Sequence, residues 1–241
     1  MSAPGSYKVR PAGRHLLTIG RDLIQDTYAA VLELVKNAYD ADSPSVVIEF
    51  TTKSDGSGYI VRISDSGHGM TLDTVVNKWM VPSTRDKLDR RTSPGGRVLQ
   101  GRKGVGRYAA SVLGEDLLLE TVDESGQKTT LYVVWSAFES AEYLDDVEIL
   151  IETSVVTEKS GTTLTINGSA AFTKQWDKKQ FDKLRFELKK LMSPIRHEYA
   201  GGTVDSFSIQ LKIHGFTVSV RASTSCDERG RALYARADAV R

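Results

Sequence analysis

The chain has 241 residues, of which 40% are hydrophobic and 26% are charged, a composition typical of soluble globular proteins. Its formal net charge of +1 gives no overall electrostatic argument for binding nucleic acid or a membrane surface. The single cysteine, Cys226, excludes an intrachain disulfide and a cysteine metal cluster. Because there is neither a signal-peptide core nor an apolar run of about 18 residues, we expect a cytoplasmic protein without membrane contact.

The first strong pattern is a helix from about Leu23 to Ala41, in which apolar residues recur with a period close to 3.6. Glu33 and Asn37 lie four residues apart on one face of this helix, and Asp40 continues the polar stripe. A carboxylate one turn from a carboxamide can align a water molecule and bind a metal ion. Taken alone, however, such a stripe is more often a solvated helix face.

Two β-branched runs, 46–50 and 59–63, predict a hairpin. Next comes Asp65-Ser66-Gly67-His68-Gly69-Met70, followed by a helix from Leu72 to about Met80. Glycines let the backbone approach a ligand closely, and an aspartate at a strand end can accept a hydrogen bond from an amine such as that of adenine. Asp-x-Gly is also common in ordinary turns, so this motif alone is weak.

Residues 81–100 show no periodicity, which predicts a lid or a disordered insert. They lead into Gly101-Arg102-Lys103-Gly104-Val105-Gly106-Arg107 and then into a short run of helix-compatible residues. Amides at a helix N-terminus bind phosphate, and Lys103 adds a positive charge. The motif is neither a Walker A loop nor the dinucleotide-binding fingerprint, and its alternative interpretation is a flexible loop hinge.

The rest of the chain is mainly strands. We predict strands at 117–122, 129–135, 148–156 and 161–166, an amphipathic helix at 177–192, and a strand pair at 207–213 and 216–220. The strand at 161–166 begins with Gly161-Thr162-Thr163, which is nearly uninformative alone because threonine suits strands anyway.

Four motifs follow one another along the chain: Glu-x3-Asn, Asp-x-Gly-x-Gly, Gly-x-Lys-Gly-x-Gly and Gly-Thr-Thr. In this order they resemble the N, G1, G2 and G3 boxes of the GHKL superfamily (gyrase, heat-shock chaperone, histidine kinase, MutL). The segments ELVKNAYDAD, DSGHGM and GRKGVGRYAAS look closest to MutL, MORC and heat-shock chaperone ATPase domains. The resemblance implies an α/β (α+β) two-layer sandwich, the Bergerat ATP-binding fold. In that fold a mixed sheet is covered by helices on one face, and ATP lies between the helices and a lid.

The resemblance also implies residue roles. Glu33 corresponds to the general base that orients water toward the γ-phosphate, Asn37 to the Mg²⁺ ligand, and Asp65 to the acceptor of the adenine amine. Lys103 is both a phosphate contact and a catalytic, charge-compensating residue. Asp40 is implied beside the nucleotide sugar or base, and Thr163 is implied to bond the base directly or through water. The residues implied along the base are Gly67, Gly69 and Met70. Those implied around the phosphates are Gly101, Arg102, Gly104, Val105 and Gly106.

Residues 1–14 are rich in Gly, Pro and basic residues, which predicts an N-terminal arm. The resemblance implies a GHKL-type ATP-binding domain at 15–200 and the truncated start of a transducer-like β segment at 201–241. The implied function is ATP binding with slow or partner-stimulated Mg²⁺-dependent hydrolysis, which drives a conformational and dimerisation switch in a larger protein. Two alternatives stay open, a nucleotide-binding regulatory module that does not hydrolyse ATP and a histidine-kinase-type phosphotransfer domain. The implied partners are ATP and a second copy of the chain, and the basic stretch 82–107 suits DNA and a solvated lid about equally well.

Overall fold

A seven-stranded mixed sheet forms the centre of the molecule. Its strands are β1 (Ser45–Thr52), β2 (Gly58–Asp65), β3 (Asp116–Val122), β4 (Gln127–Val134), β5 (Ile151–Val155), β6 (Gly161–Ser169) and β7 (Ser208–His214). They are ordered β5-β4-β3-β6-β2-β1-β7 across the sheet. The pair β1–β7 is parallel and the other described neighbours are antiparallel, so the sheet is mixed. Two short strands, β8 (Thr224–Cys226) and β9 (Ala232–Tyr234), pair separately.

The computed structural model describes residues 8–24, 26–82, 91–101, 106–192, 207–216, 224–226 and 232–234. Its α-helices are α1 (His15–Leu23), α2 (Thr27–Asp40), α3 (Leu72–Thr74), α4 (Ala110–Leu113), α5 (Trp135–Ser140), α6 (Ala170–Thr173) and α7 (Lys178–Met192). A π-helical turn, Val75–Trp79, continues α3, and a 3₁₀ turn, Gly106–Ala109, leads into α4; a further 3₁₀ turn is Leu144–Asp146. Within these ranges, no helix is both long and apolar enough to cross a membrane.

Helix α2 covers most of the predicted helix, but it begins at Thr27 rather than near Leu23, because Leu23 ends α1 and Asp26 has an extended backbone. Its buried apolar positions, spaced three or four residues apart, are Ala30, Val31, Leu34, Val35 and Ala38. The helix ends at Asp40, and two residues later the chain turns through Asp42, whose φ of 58° lies in the left-handed region. This turn redirects the chain into β1, and it leaves Glu33 and Asn37 half-buried on the flank of the helix.

The sheet buries one face against the helices. In β1, the alternate residues Val46, Ile48 and Phe50 are buried, and the antiparallel register pairs Ile48 with Ile63 and Phe50 with Val61. The intervening positions are more exposed, as expected for a sheet with one covered face, because successive side chains alternate between the two faces. The predicted α/β architecture, a mixed sheet with helices on one face, is therefore confirmed.

Aromatic side chains fill the core beneath β1 and β2. Trp176 and Phe181 pack against Phe50 with ring centroids 4.6 and 5.3 Å away. The hydroxyl of the buried Tyr59 donates to Leu113 O at 2.6 Å and accepts from Trp176 Nε1 at 2.9 Å. These two bonds tie the hairpin to α4 and to the chain just before α7.

Both predicted domain boundaries stay predictions, although the flanking residues contact the sheet domain. On the N-terminal side, Pro11 O accepts from Leu144 N at 3.0 Å, and Arg10 Nη2 lies 2.9 Å from Asp145 Oδ1. On the C-terminal side, β7 adds to the same sheet beside β1. The strand predicted at 216–220 lies almost wholly outside the described residues. Helix α5 is an element that the sequence pattern did not predict.

Candidate functional site

The polar flank of α2 meets the helical turn that begins at Gly106. A Cβ built on Gly106 would lie 3.4 Å from Glu33 Oε2 and 3.7 Å from Asn37 Nδ2. These are contact distances, so the first residue of the turn lies directly against both side chains. The fold therefore brings together the predicted acid, the predicted amide and the end of the second glycine-rich motif.

Lys36 is a neighbour of this cluster that the motifs do not single out. Its Nζ donates to Glu33 Oε1 at 2.7 Å, and 28% and 34% of the two side chains are exposed. The i,i+3 spacing of Glu33 and Lys36 is the signal that predicts such a pair from sequence. Glu33 thus has an ammonium group at one oxygen and Gly106 at the other.

Asp65 ends β2 in a half-buried position. Burial raises the pKa of its carboxyl to about 6, and the backbone amides of Gly67 and Thr162 partly counter that shift. The Gly67 amide donates to Asp65 Oδ1 at 2.9 Å. A carboxylate in such surroundings gains from every further hydrogen-bond donor that reaches it, because burial has removed water from it. Asp65 is therefore suited to accept a hydrogen bond from a bound amine.

The first glycine-rich motif, residues 65–70, packs between the end of α2 and the end of β3. His68 N donates to Ala41 O at 3.1 Å, and Met70 N donates to Thr121 Oγ1 at 2.9 Å. Gly69 has a φ of 66°, and a Cβ there would lie 1.9 Å from Val122 O. Both the backbone conformation and the lack of space require glycine at this position. The turn therefore holds Gly67, Gly69 and Met70 close to Asp65.

The strand register corrects the predicted threonine contact. Asp65 pairs with Thr162 and Ser64 pairs with Thr163 across β2 and β6. Since side chains alternate between faces, Thr162 shares the face of Asp65, and its Oγ1 lies 3.0 Å from Thr121 Oγ1. Thr163 is on the opposite face, where its hydroxyl donates to Ser64 Oγ at 3.1 Å. The threonine beside Asp65 is Thr162, and Thr163, predicted from the motif, is directed away from it.

Asp40 binds backbone rather than an open space. Its side chain is buried, with 7% of the residue exposed. Oδ1 accepts from Gln100 N at 2.7 Å, and Oδ2 accepts from Gly101 N at 3.0 Å. The carboxylate thus holds the start of the second glycine-rich motif, and the contact predicted between Asp40 and a nucleotide sugar or base stays a prediction.

The middle of the second motif lies outside the described residues. Arg102, Lys103, Gly104 and Val105 belong to it, so their predicted phosphate contacts and the catalytic role of Lys103 stay predictions. In the described part of the chain, no group of three or more His, Cys, Asp or Glu side chains is placed to hold a metal ion. The Mg²⁺ contact predicted for Asn37 stays a prediction.

A family model described as histidine kinase-, DNA gyrase B- and HSP90-like ATPase matches residues 26–163, more than half of the chain. The match begins just before α2 and ends within β6, so it contains all four predicted motifs. No curated protein matches the chain. The family match confirms the superfamily that the order of the motifs indicates, and it supports ATP as the ligand of this site.

Proposed function

This chain belongs to the family of histidine kinase-, DNA gyrase B- and HSP90-like ATPases, and we propose that it binds ATP with Mg²⁺ and hydrolyses it as a slow nucleotide-driven switch. The observation that carries the proposal is the contact of Gly106 with Glu33 and Asn37. This contact joins the side chains suited to water and metal to the end of the motif suited to phosphate.

The adenine end of the proposed site is built around Asp65. Its carboxylate accepts the adenine amine, a bond that offsets part of the cost of keeping this charge buried. Thr162, on the same face of the sheet, supplies a hydroxyl beside it. Gly69 and Met70 line the base, because the glycine turn holds them next to Asp65.

The phosphate end lies along α2. Gly101 and Gly106 border the phosphates with their backbone, and Lys103 adds a positive charge. The carboxamide oxygen of Asn37 is a hard ligand of the kind that Mg²⁺ takes, so Asn37 would hold the ion beside the phosphates. The chemistry that the ion would supply there is neutralisation of the negative charge of the phosphates.

Glu33 is the proposed general base. A water oxygen attacks the γ-phosphorus in line with the bond to the β-γ bridging oxygen. The water proton passes to the carboxylate of Glu33, the bond to the bridging oxygen breaks, and ADP and inorganic phosphate are released. Glu33 suits this role because its Oε2 faces the end of the phosphate motif.

The test is single-turnover phosphate release from ATP by the wild type and by Glu33→Ala. Removal of a general base should lower the rate by about 10² to 10⁴ while ATP affinity stays within a few-fold. Glu187→Ala is the matched control, because Glu187 forms an i,i+3 pair with Lys190 at the same 2.7 Å. Hydrolysis by Glu33→Ala at the wild-type rate would refute the assignment.

Two further results would favour the alternatives. Tight ATP binding without phosphate release, with or without DNA, would identify a non-hydrolysing regulatory module. Transfer of labelled phosphate onto protein would identify a histidine-kinase-type activity.

The same proposal includes dimerisation when ATP binds, which sedimentation with and without ATP tests. It also includes a cytoplasmic location, a DNA or protein client, and a likeness to MutL, MORC and chaperone ATPases.

A further inference from the structure

Residues 91–101 form a short segment that packs on the C-terminal end of α2, and we term it the docked hairpin. An isolated bridge between Thr92 and Val98 closes it. Arg97 Nη1 donates to Tyr39 O at 3.1 Å and to Ser43 O at 2.7 Å, and the guanidinium lies 4.7 Å from the centre of the Tyr39 ring. A cation at the C-terminal end of a helix is favourable, because carbonyl groups point outward there.

Asp42 holds the turn of the docked hairpin. Its carboxylate accepts from Ser93 Oγ at 2.5 Å and from Gly95 N at 2.8 Å. Asp40 holds the other end of the segment through the amides of Gln100 and Gly101. Two carboxylates and one guanidinium at the end of α2 thus fix the hairpin at three points.

The Asp40 contact is the one that reaches the nucleotide site. A carboxylate as buried as that of Asp40 is stable only with strong hydrogen-bond donors, and the amides at 2.7 and 3.0 Å are such donors. Their peptide units form the start of the motif that carries Gly101. The other end of the motif, Gly106, lies against Glu33 and Asn37 on the same helix.

We infer that Asp40 is a positioning residue for the nucleotide phosphates, which acts through the Gln100 and Gly101 amides and touches no part of the nucleotide. Helix α2 then sets both ends of the phosphate motif, with Asp40 at the start and Glu33 and Asn37 at the end. The inference rests on the proposed function, since it takes ATP as the ligand.

The test compares AMP with ATP, because the two share the base and sugar and differ in the β- and γ-phosphates. In Asp40→Asn one amide oxygen remains to accept, while the new NH₂ group faces a backbone N–H. We expect ATP binding to weaken about tenfold, the loss of roughly one charge-assisted hydrogen bond, and AMP binding to change less than about twofold. Competition against a fluorescent ATP analogue measures both affinities.

Asp42→Asn is the matched control. It makes the same chemical change two residues away, and asparagine tolerates the φ of 58° found there. We expect its ratio of AMP to ATP affinity to equal that of the wild type. A larger change of this ratio in Asp42→Asn than in Asp40→Asn would overturn the inference.

If Asp40→Asn weakens AMP binding and ATP binding equally, Asp40 lies at the sugar or base. If it weakens neither, Asp40 takes no part in the site. Both results overturn the inference. If the wild type binds neither nucleotide, the proposed function fails, and hydrogen exchange at Gln100 and Gly101 then decides the anchoring itself. Faster exchange of these two amides in Asp40→Asn supports the anchor, whereas unchanged exchange overturns it.

Discussion

Lys36 Nζ lies 2.7 Å from Glu33 Oε1 along α2, while Glu33 Oε2 faces Gly106. The two oxygens of the proposed base therefore have different neighbours, an ammonium group on one side and the phosphate motif on the other. We expect the ion pair to hold the carboxylate in one orientation, which would present Oε2 rather than Oε1 to a nucleotide bound at the motif.

Lys36→Met keeps most of the side-chain stem and removes the ammonium group. We expect kcat for ATP to fall up to about tenfold with KM unchanged, because a base that loses its fixed orientation aligns water less well. Steady-state phosphate release measures both constants. A half-exposed i,i+3 pair contributes under about 1 kcal/mol to folding, so the free energy of unfolding should hardly change.

Two companion variants separate orientation from general destabilisation. Lys36→Arg restores a cation that reaches Glu33 and should recover most of the rate. Lys190→Met breaks the pair of the same geometry on α7 and should leave kcat at the wild-type value. A change in KM alone for Lys36→Met would contradict the orienting role.

Asp65 makes the free energy of unfolding depend on pH, with a sign that follows from its raised pKa. Burial raises its folded-state pKa to about 6, whereas an unfolded aspartate titrates near 3.9. The folded protein therefore binds this proton more tightly than the unfolded chain does. The resulting stabilisation is fully present below about pH 4 and is lost as the pH rises through 6.

Asp65→Asn removes the buried charge and keeps an oxygen for the Gly67 amide. Without nucleotide, we expect this variant to be more stable than the wild type at pH 8, by about 1 to 3 kcal/mol. Urea unfolding at pH 8 and pH 4.5 measures the difference, which should shrink at the lower pH. An equal difference at both pH values would contradict the burial of the charge.

The same variant should bind ATP at least about tenfold more weakly at pH 8, because an amide is a poorer acceptor than a carboxylate for the adenine amine. In the wild type, ATP affinity should fall as the pH drops below 6 and Asp65 becomes protonated. The ratio of wild-type to variant affinity isolates this effect from the titration of ATP itself. A gain in stability together with a loss of binding is the behaviour expected of a ligand-binding acid.

The elements that position the site follow from local patterns. Helix α2 and the β1–β2 hairpin are predictable because periods of 3.6 and 2 are properties of short sequence windows. The order of the four motifs predicts that Glu33, Asn37 and Asp65 belong to one site, and this grouping stays a prediction. These features need no knowledge of how distant segments pack.

Long-range pairing decides the features that the sequence did not predict. Which of Thr162 and Thr163 lies on the face of Asp65 depends on the register of β6 against β2. A shift of one residue would move each threonine to the opposite face of the sheet. The partners of Asp40 lie 60 and 61 residues further along the chain, so helix periodicity alone does not identify them. Helix α5 spans only six residues, too few to show a helical period.

Valine substitutions at the two threonines compare the two faces of β6 directly. Thr162→Val and Thr163→Val each replace a hydroxyl by a methyl group and keep the β-branch that favours a strand. We expect Thr162→Val to weaken ATP binding about threefold to tenfold, the loss of one neutral hydrogen bond, and Thr163→Val to change it less than about twofold. Equilibrium binding measures both, and a larger loss for Thr163→Val would contradict the placement of Thr162 at the base.

Tyr59→Phe tests the link between the core and the site. Burial raises the pKa of Tyr59, so its hydroxyl stays protonated and keeps donating to Leu113 O while it accepts from Trp176 Nε1. Phenylalanine leaves both partners unpaired in the core, so we expect unfolding to require about 2 to 3 kcal/mol less free energy.

Urea denaturation measures this loss, and Tyr132→Phe is the control, because Tyr132 is 49% exposed and its change should stay within about 0.5 kcal/mol. Leu113 ends the helix that follows the turn at Gly106, so loosening it should also raise hydrogen exchange in α4. Equal stability of the two phenylalanine variants would show that the hydroxyl of Tyr59 does not hold α4 to the sheet.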